Sequence, residues 1–285
     1  MSITPDDIAL QAGDSHRFEL LSRIPDNAHA ALLWLPALGV AARHYIAFAD
    51  ALAERGIAVF VHEWRGLGSS SLRADRRHDW GYRELLQEDL PLSDARMRAA
   101  LPGVPCFIGG HSLGGQLASC YLGLHPHAFA RLWLVATGTP YWRTFPGLRG
   151  RLLPWFYRFA IWISRRRGAL PGRRLGFGGE EARSLIEDWG RVGLGGHYAA
   201  AGMAVDLETA MARTDAAIDA VVLADDWLAP AESLRGLLAK MPAARARVHT
   251  LDAGALAVKA DHFAWMRAPA SVADALPASR SGLDQ

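Results

Sequence analysis

Gly110-His111-Ser112-Leu113-Gly114 stands between an apolar run and a helical run, and no other feature constrains the chain as much. Val104-Pro105-Cys106-Phe107-Ile108 reads as a short buried strand. Leu113 to Leu124 reads as a helix that opens on small residues. A serine on the sharp turn between them is pushed outward, with its hydroxyl at the helix N-terminus. Flanking glycines let the backbone take a strained turn and let the helix pack closely. The Leu113 N–H then points toward an oxygen on any carbon bonded to Ser112. This is the arrangement of a serine nucleophile with one oxyanion donor.

The strand-then-helix order recurs along the chain. Residues 7–24 read as a β-hairpin turning at Gly13-Asp14, and Ala31 to Leu35 as a strand ended by Pro36. A helix over 41–55 is stopped by Gly56, and a strand over 57–62 leads into a Gly/Ser loop at 63–71. Residues 82–100 predict a charged amphipathic helix broken or restarted near Pro91. Strands at 104–108 and 131–136 flank the helix at 113–124. Fully apolar strands alternating with helices imply a parallel sheet covered on both faces. The pattern lapses between Gly138 and Ala201. It resumes with helices near 205–213, 231–240 and after 263, and strands at 218–223 and 246–251. Residues 1–137 and 202–285 are therefore expected to form one α/β core, with 138–201 inserted into it.

At 285 residues such a core can bury roughly three quarters of its unfolded surface without disulfide or metal. Cys106 and Cys120 lie in apolar runs and read as buried thiols. The net charge of +2 makes no case for nucleic acid. The chain opens without a basic or apolar leader and contains no apolar run of ~18 residues, so a cytoplasmic protein is expected.

A serine nucleophile needs a base and a carboxylate to orient that base. In an open parallel sheet such groups sit just after strands, at their carboxyl ends. Asp225 and Asp226 follow Val221-Val222-Leu223-Ala224, and His262 follows the last strand. The strand at 131–136 ends in Thr137-Gly138-Thr139, which offers no carboxylate. His111, inside the turn, is expected to hydrogen-bond locally. His125 and His127 flank Pro126 at a helix end and read as structural rather than as metal ligands.

Five segments spread over nearly the whole chain carry a resemblance. They are Leu35-Pro36-Ala37-Leu38-Gly39, Trp64-Arg65-Gly66-Leu67-Gly68-Ser69-Ser70, Gly110 to Gln116, Asp226-Trp227-Leu228-Ala229-Pro230 and His262-Phe263. Together they resemble the α/β-hydrolase superfamily, in particular lipase/esterase-like serine hydrolases of a bacterial subgroup with no settled substrate. The resemblance implies the α/β-hydrolase fold: a mostly parallel central sheet with helices on both faces and an inserted helical lid, here 138–201. It implies a triad of Ser112, Asp226 and His262. Asp226 is favoured over Asp225 because the acid in such hydrolases stands four residues before a proline. Backbone N–H groups of Leu38 and Leu113 would form the oxyanion hole, and no metal or organic cofactor is expected. Two positions depart from the pattern. Pro36-Ala37 replaces the usual His-Gly, and Asp261 replaces the Gly before the histidine. The Gly-rich loop at 65–70 lacks phosphate-binding spacing and reads as structural. The implied activity is cleavage of a small apolar ester or related acyl compound. Acyl transfer would use the same triad, and a hydrolase-like protein that only binds a ligand is the reading from another class.

The inserted stretch carries Tyr141-Trp142, Trp155-Phe156-Tyr157, Phe159, Trp162 and Trp189. Most are expected to form the lid's own core, and a few to line an apolar pocket. Leu152 to Ile163 is apolar nearly all round. Arg151, Arg158 and Arg165 recur every seven residues, with Arg166 and Arg167 at the end. A buried lid helix with one solvated face is the favoured reading. Peripheral contact with a membrane through 151–167 is the alternative.

Overall fold

The computed structural model describes residues 3–276. Strands β1 (Ile3–Pro5), β2 (Ile8–Gln11) and β3 (Arg17–Pro25) open the chain. β2 and β3 form the hairpin, with Ile8 opposite Leu20, and β1 adds antiparallel to the far end of β3. There follow β4 (Ala30–Leu35), α1 (Ile46–Ala53), β5 (Ile57–Val61), α2 (Tyr82–Glu84) and α3 (Leu90–Ala100). Next come β6 (Cys106–His111), α4 (Leu113–Leu124) and β7 (Arg131–Val135). Segment 138–201 supplies α5 (Gly147–Arg167), β8 (Ala169–Pro171), α6 (Gly172–Leu175), β9 (Glu180–Ala182) and α7 (Arg183–Gly195). The chain continues with α8 (Leu207–Met211), β10 (Ala217–Leu223), α9 (Ala231–Leu238), β11 (Arg245–Leu251), α10 (Ala253–Leu256) and α11 (Ala270–Ala275).

Among the described residues, nine strands make one sheet in the order β1-β3-β5-β4-β6-β7-β10-β11, with β2 also on β3. From β5 to β11 every pairing is parallel. Strand alternation divides the core in two. Ala31, Leu33 and Leu35 of β4 pack on one face with α4 residues such as Leu117. Ala30, Leu32 and Trp34 pack on the other with Phe48 and Leu52 of α1 and with Val272 of α11.

An α-helix does start afresh near Pro91, with the proline in the first turn of α3, although residues 82–100 are helical throughout. A π-helical turn over Leu85–Asp89 joins α2 to α3, and the Leu90 N–H donates to the Leu85 carbonyl, five residues back. Proline has no N–H to donate, and its ring crowds the preceding turn. A wider turn just ahead of Pro91 absorbs that strain while the helix direction continues.

Segment 138–201 adds no strand to the main sheet. It is mostly helical and includes the antiparallel ribbon β8–β9, in which Ala169 pairs with Ala182. The inner face of α5 buries Gly150, Tyr157, Ala160 and Ser164. A Cβ at Gly193 of α7 would lie 2.5 Å from the Tyr157 ring, so glycine there is what lets the two helices approach. Asp188 of α7 anchors the segment to the core by accepting the Tyr82 N–H at 2.9 Å. Asp79 does the same by accepting the Ser184 N–H at 2.9 Å.

Candidate active site

Ser112 joins β6 to α4 with φ 55° and ψ −120°, a conformation rarely taken by a residue with a side chain. Such backbone costs on the order of 1–3 kcal/mol and persists only where its surroundings enforce it. Here the Ser112 N–H donates to the Val135 carbonyl at 3.2 Å, and the Ser112 carbonyl accepts from Gly115 and Gln116. The turn also requires glycine at Gly114, where a Cβ would lie 2.0 Å from the Leu35 carbonyl oxygen. The Ser112 side chain makes no capping bond although it occupies the N-cap of α4. Its hydroxyl therefore stands unspent at the positive end of the helix dipole.

His262 and Asp226 are both buried, and His262 Nδ1 lies 2.7 Å from Asp226 Oδ2. An ionised carboxylate only accepts, so this bond puts the proton on Nδ1 and leaves Nε2 as an acceptor. The other Asp226 oxygen accepts the Leu228 N–H at 2.9 Å and the Ala229 N–H at 3.1 Å, which fixes the carboxylate's orientation. Asp225 is exposed, and its backbone N–H donates to the Ala260 carbonyl. Asp261, the residue before His262, is engaged by backbone. Its Oδ1 accepts the N–H groups of Phe263 (3.1 Å) and Ala264 (2.8 Å) and so shapes the turn after His262.

The His262 ring lies 4.7 Å, centroid to centroid, from the ring of His111, the residue before Ser112. His111 does not bond locally. Its Nδ1 meets the Tyr45 hydroxyl at 2.8 Å, and that hydroxyl accepts the Ala37 N–H at 2.9 Å. Burial holds the His111 pKa well below its ordinary value, so the ring is neutral beside His262. This buried strut ties the turn after β4 to the turn after β6. It engages the Ala37 N–H, while Trp64 Nε1 donates to the Pro36 carbonyl at 2.8 Å. Leu38 carries the next N–H along that turn. No local pattern in the sequence marks Tyr45 for this role, because its partners are 8 and 66 residues away.

The loop at 63–71 is internally braced. Glu63 accepts the Ala42 and Ser69 N–H groups, and Arg65 makes a two-pronged bond to buried Asp89 at 2.6 and 2.8 Å. Among the described residues, no group of three His, Cys, Asp or Glu side chains converges at metal-binding spacing.

A family model described as "Serine aminopeptidase, S33" matches residues 26–188, more than half of the 285. The chain belongs to that family of α/β-hydrolases. Solved structures agree on the fold. A thioesterase domain from the curacin biosynthetic pathway aligns with TM-score 0.59 at 17% identity, covering 95% of this chain and 98% of that one. A carboxylesterase of the thaumarchaeon Nitrososphaera gargenis gives 0.60 at 17%, covering 94% and 95%. A hydrolase from Pseudomonas aeruginosa gives 0.58 at 18%, covering 95% and 96%. No curated protein sequence matches. The protein is thus a hydrolase of the α/β type.

In this hydrolase two cavities border the carboxyl edge of the sheet. The inner one is closed to about 10 Å³ and lies between Leu38, Gly39, Leu67, Trp80, Leu113 and Glu181. The outer one, an open cleft of about 920 Å³, takes in Asp226, Trp227, His262 and Phe263. Aromatics of segment 138–201 were expected to line such a pocket. The segment instead contributes Glu181 and Leu185 to the inner cavity and no aromatic ring to either. Trp155 is 70% exposed and Trp162 52%, because α5 turns their side toward solvent. Glu181 has no counterpart in the sequence reading. Burial raises its pKa to about 7, opposed by a hydrogen bond from the Gly179 N–H at 2.6 Å. It is held near the turn after β4 because Gly39 (φ 75°) lets the chain at Gly178-Gly179 approach so closely that a Cβ would lie 2.3 Å from the Gly179 nitrogen.

Proposed function

We propose that this hydrolase cleaves a carboxylic ester or related acyl compound through an acyl-enzyme. The Ser112 oxygen attacks the acyl carbon while His262 Nε2 takes its proton. The tetrahedral intermediate collapses as the same proton passes to the departing alkoxide. Water then repeats the sequence and releases the acid, with the Ser112 proton restored. Asp226 holds the Nδ1–H tautomer and stabilises the imidazolium. The N–H groups of Leu113 and Leu38 receive the charge on the oxyanion. Segment 138–201 serves as a lid, walling the inner cavity with Glu181 and Leu185, and the substrate enters by the open cleft of about 920 Å³ that takes in Asp226 and His262.

The observation that carries the proposal is the 2.7 Å bond between His262 and Asp226 beside the strained turn at Ser112. A hydrolase-like binding protein would have no use for a buried carboxylate aligned on a histidine at that place. Labelling with a fluorophosphonate probe and hydrolysis of short aryl esters test the reading. Ser112→Ala should abolish labelling and lower kcat by about 10⁶. Unchanged turnover would sink it, and faster cleavage of an aminoacyl arylamide than of any aryl ester would replace ester with amide as the bond cleaved. Acyl transfer would show as ester exchange with an added alcohol outpacing hydrolysis.

A further inference from the structure

Helix α5 has two apolar faces, and the fold uses only one. Tyr157 and Ala160 turn inward with Gly150 and Ser164. Leu148, Leu152, Trp155, Phe159 and Trp162 turn outward, and each is an exposed large hydrophobic. Their spacing of four, three, four and three residues draws one stripe about 21 Å long. Five large apolar side chains in a row are far more than the scattered exposed hydrophobics of ordinary surfaces.

The charges on α5 itself are of one sign. The sequence of α5 holds six arginines and no carboxylate, within a chain of net charge +2. Arg158 lies over the Trp155 ring at 5.9 Å and Arg166 over Trp162 at 5.4 Å. Arg165 is met by Glu187 of α7 at 2.9 and 3.0 Å. Tryptophans bracketed by guanidinium groups suit an interface where hydrocarbon gives way to headgroups.

We propose that the outer face of α5 lies on an anionic lipid bilayer, with the stripe at the acyl boundary and Arg151, Arg158 and Arg166 among the headgroups. The contact is peripheral: among the described residues no helix is long and apolar enough to cross a membrane. A second copy of the chain is disfavoured by charge. The stripe has the spacing of a coiled-coil seam, but α5 carries six arginines and no carboxylate, so pairing two copies would gather like charge with no acidic partner on the helix. An anionic surface answers both the apolar stripe and the arginines. The surface is independent of the chemistry at Ser112.

Co-sedimentation of the full chain with vesicles tests this, using phosphatidylcholine alone and phosphatidylcholine with phosphatidylglycerol. Binding is expected only with the anionic lipid and should weaken at high salt. The pair Arg151→Ala with Arg158→Ala should lower binding at least about tenfold, while the same positions changed to Lys should retain it. Trp155→Ala with Trp162→Ala should also lower it without altering the melting temperature by more than a few degrees. Absence of binding to anionic vesicles, or equal binding to neutral ones, overturns the proposal. So does a dimer in light scattering that Trp155→Ala dissociates.

Discussion

Helix α4 buries eleven of its twelve residues, and α5 four of its twenty-one. Both read as apolar in sequence, but they are held differently. α4 is wedged between the sheet and α8, so closely that a Cβ at Gly123 would lie 2.6 Å from the Met211 nitrogen. α5 packs mainly on one partner, α7, and leaves its other side to solvent. The lesson is that apolar character in α4 reports packing, whereas in α5 it exceeds what packing consumes. Geometry at the start of α4 is enforced from all sides, as the chemistry proposed for Ser112 would require. The outer side of α5 is free to serve something outside the fold.

The contrast can be attacked at several points. The largest effect is expected in the enforced half. Asp226→Asn should lower aryl-ester kcat by roughly 10⁴, because an amide cannot hold the His262 tautomer that the carboxylate selects. Asp225→Asn, at an exposed side chain, should change it little. The reverse ranking in steady-state kinetics would show that the 2.7 Å bond is not the one that matters.

Within segment 138–201 the two faces of α5 should separate in denaturant unfolding. Tyr157→Ala empties a buried site against Gly193 and should cost about 3–5 kcal/mol. A cost under about 1 kcal/mol would mean that the α5–α7 contact contributes little.

Glu181 sharpens the comparison where the segment meets the core. Its pKa is raised in the fold, from 4.5 to about 7, so the folded state binds the proton more tightly than the unfolded one. Its stabilising contribution is complete below about pH 4.5 and is lost as pH rises through 7. Melting temperature should therefore fall across that window by several degrees more in the wild type than in Glu181→Gln, which stays neutral. Glu180 adds to the raised pKa and Arg173 opposes it, so both are kept in the comparison. Parallel melting curves for the two proteins would show that Glu181 titrates in the open.

The smallest effect belongs to the outer face. Trp155→Ala should alter stability by no more than about 0.5 kcal/mol in the absence of lipid. A loss comparable to that of Tyr157→Ala would mean that the stripe is part of the core after all.

Much of the sheet was legible because its strands, apart from the exposed edge strand β11, are mainly apolar runs punctuated by Gly, Pro and Ser. β4, β5, β6, β7, β10 and β11 all lie where those runs predict, within two or three residues. Pro91 marked a restart correctly, since proline has no N–H to donate and fits the first turn of α3, whereas no local signal marked the π turn ahead of it. The aromatics of segment 138–201 did mislead. Hydrophobicity states that a side chain gains by leaving water, not which neighbour will cover it.

The sequence by itself determined the order of strands and helices, the tight turn at Ser112 and the position of candidate groups at strand ends. Those depend on local periodicity and on the steric freedom of glycine, which a few consecutive residues express. Tertiary structure alone decided that Tyr45 braces His111, that Glu181 is buried beside the turn after β4, and which face of α5 is left bare. Each of these joins residues far apart in the chain, or chooses between equally apolar faces. The choice falls to whichever partner the assembled sheet and helices bring within a few ångströms.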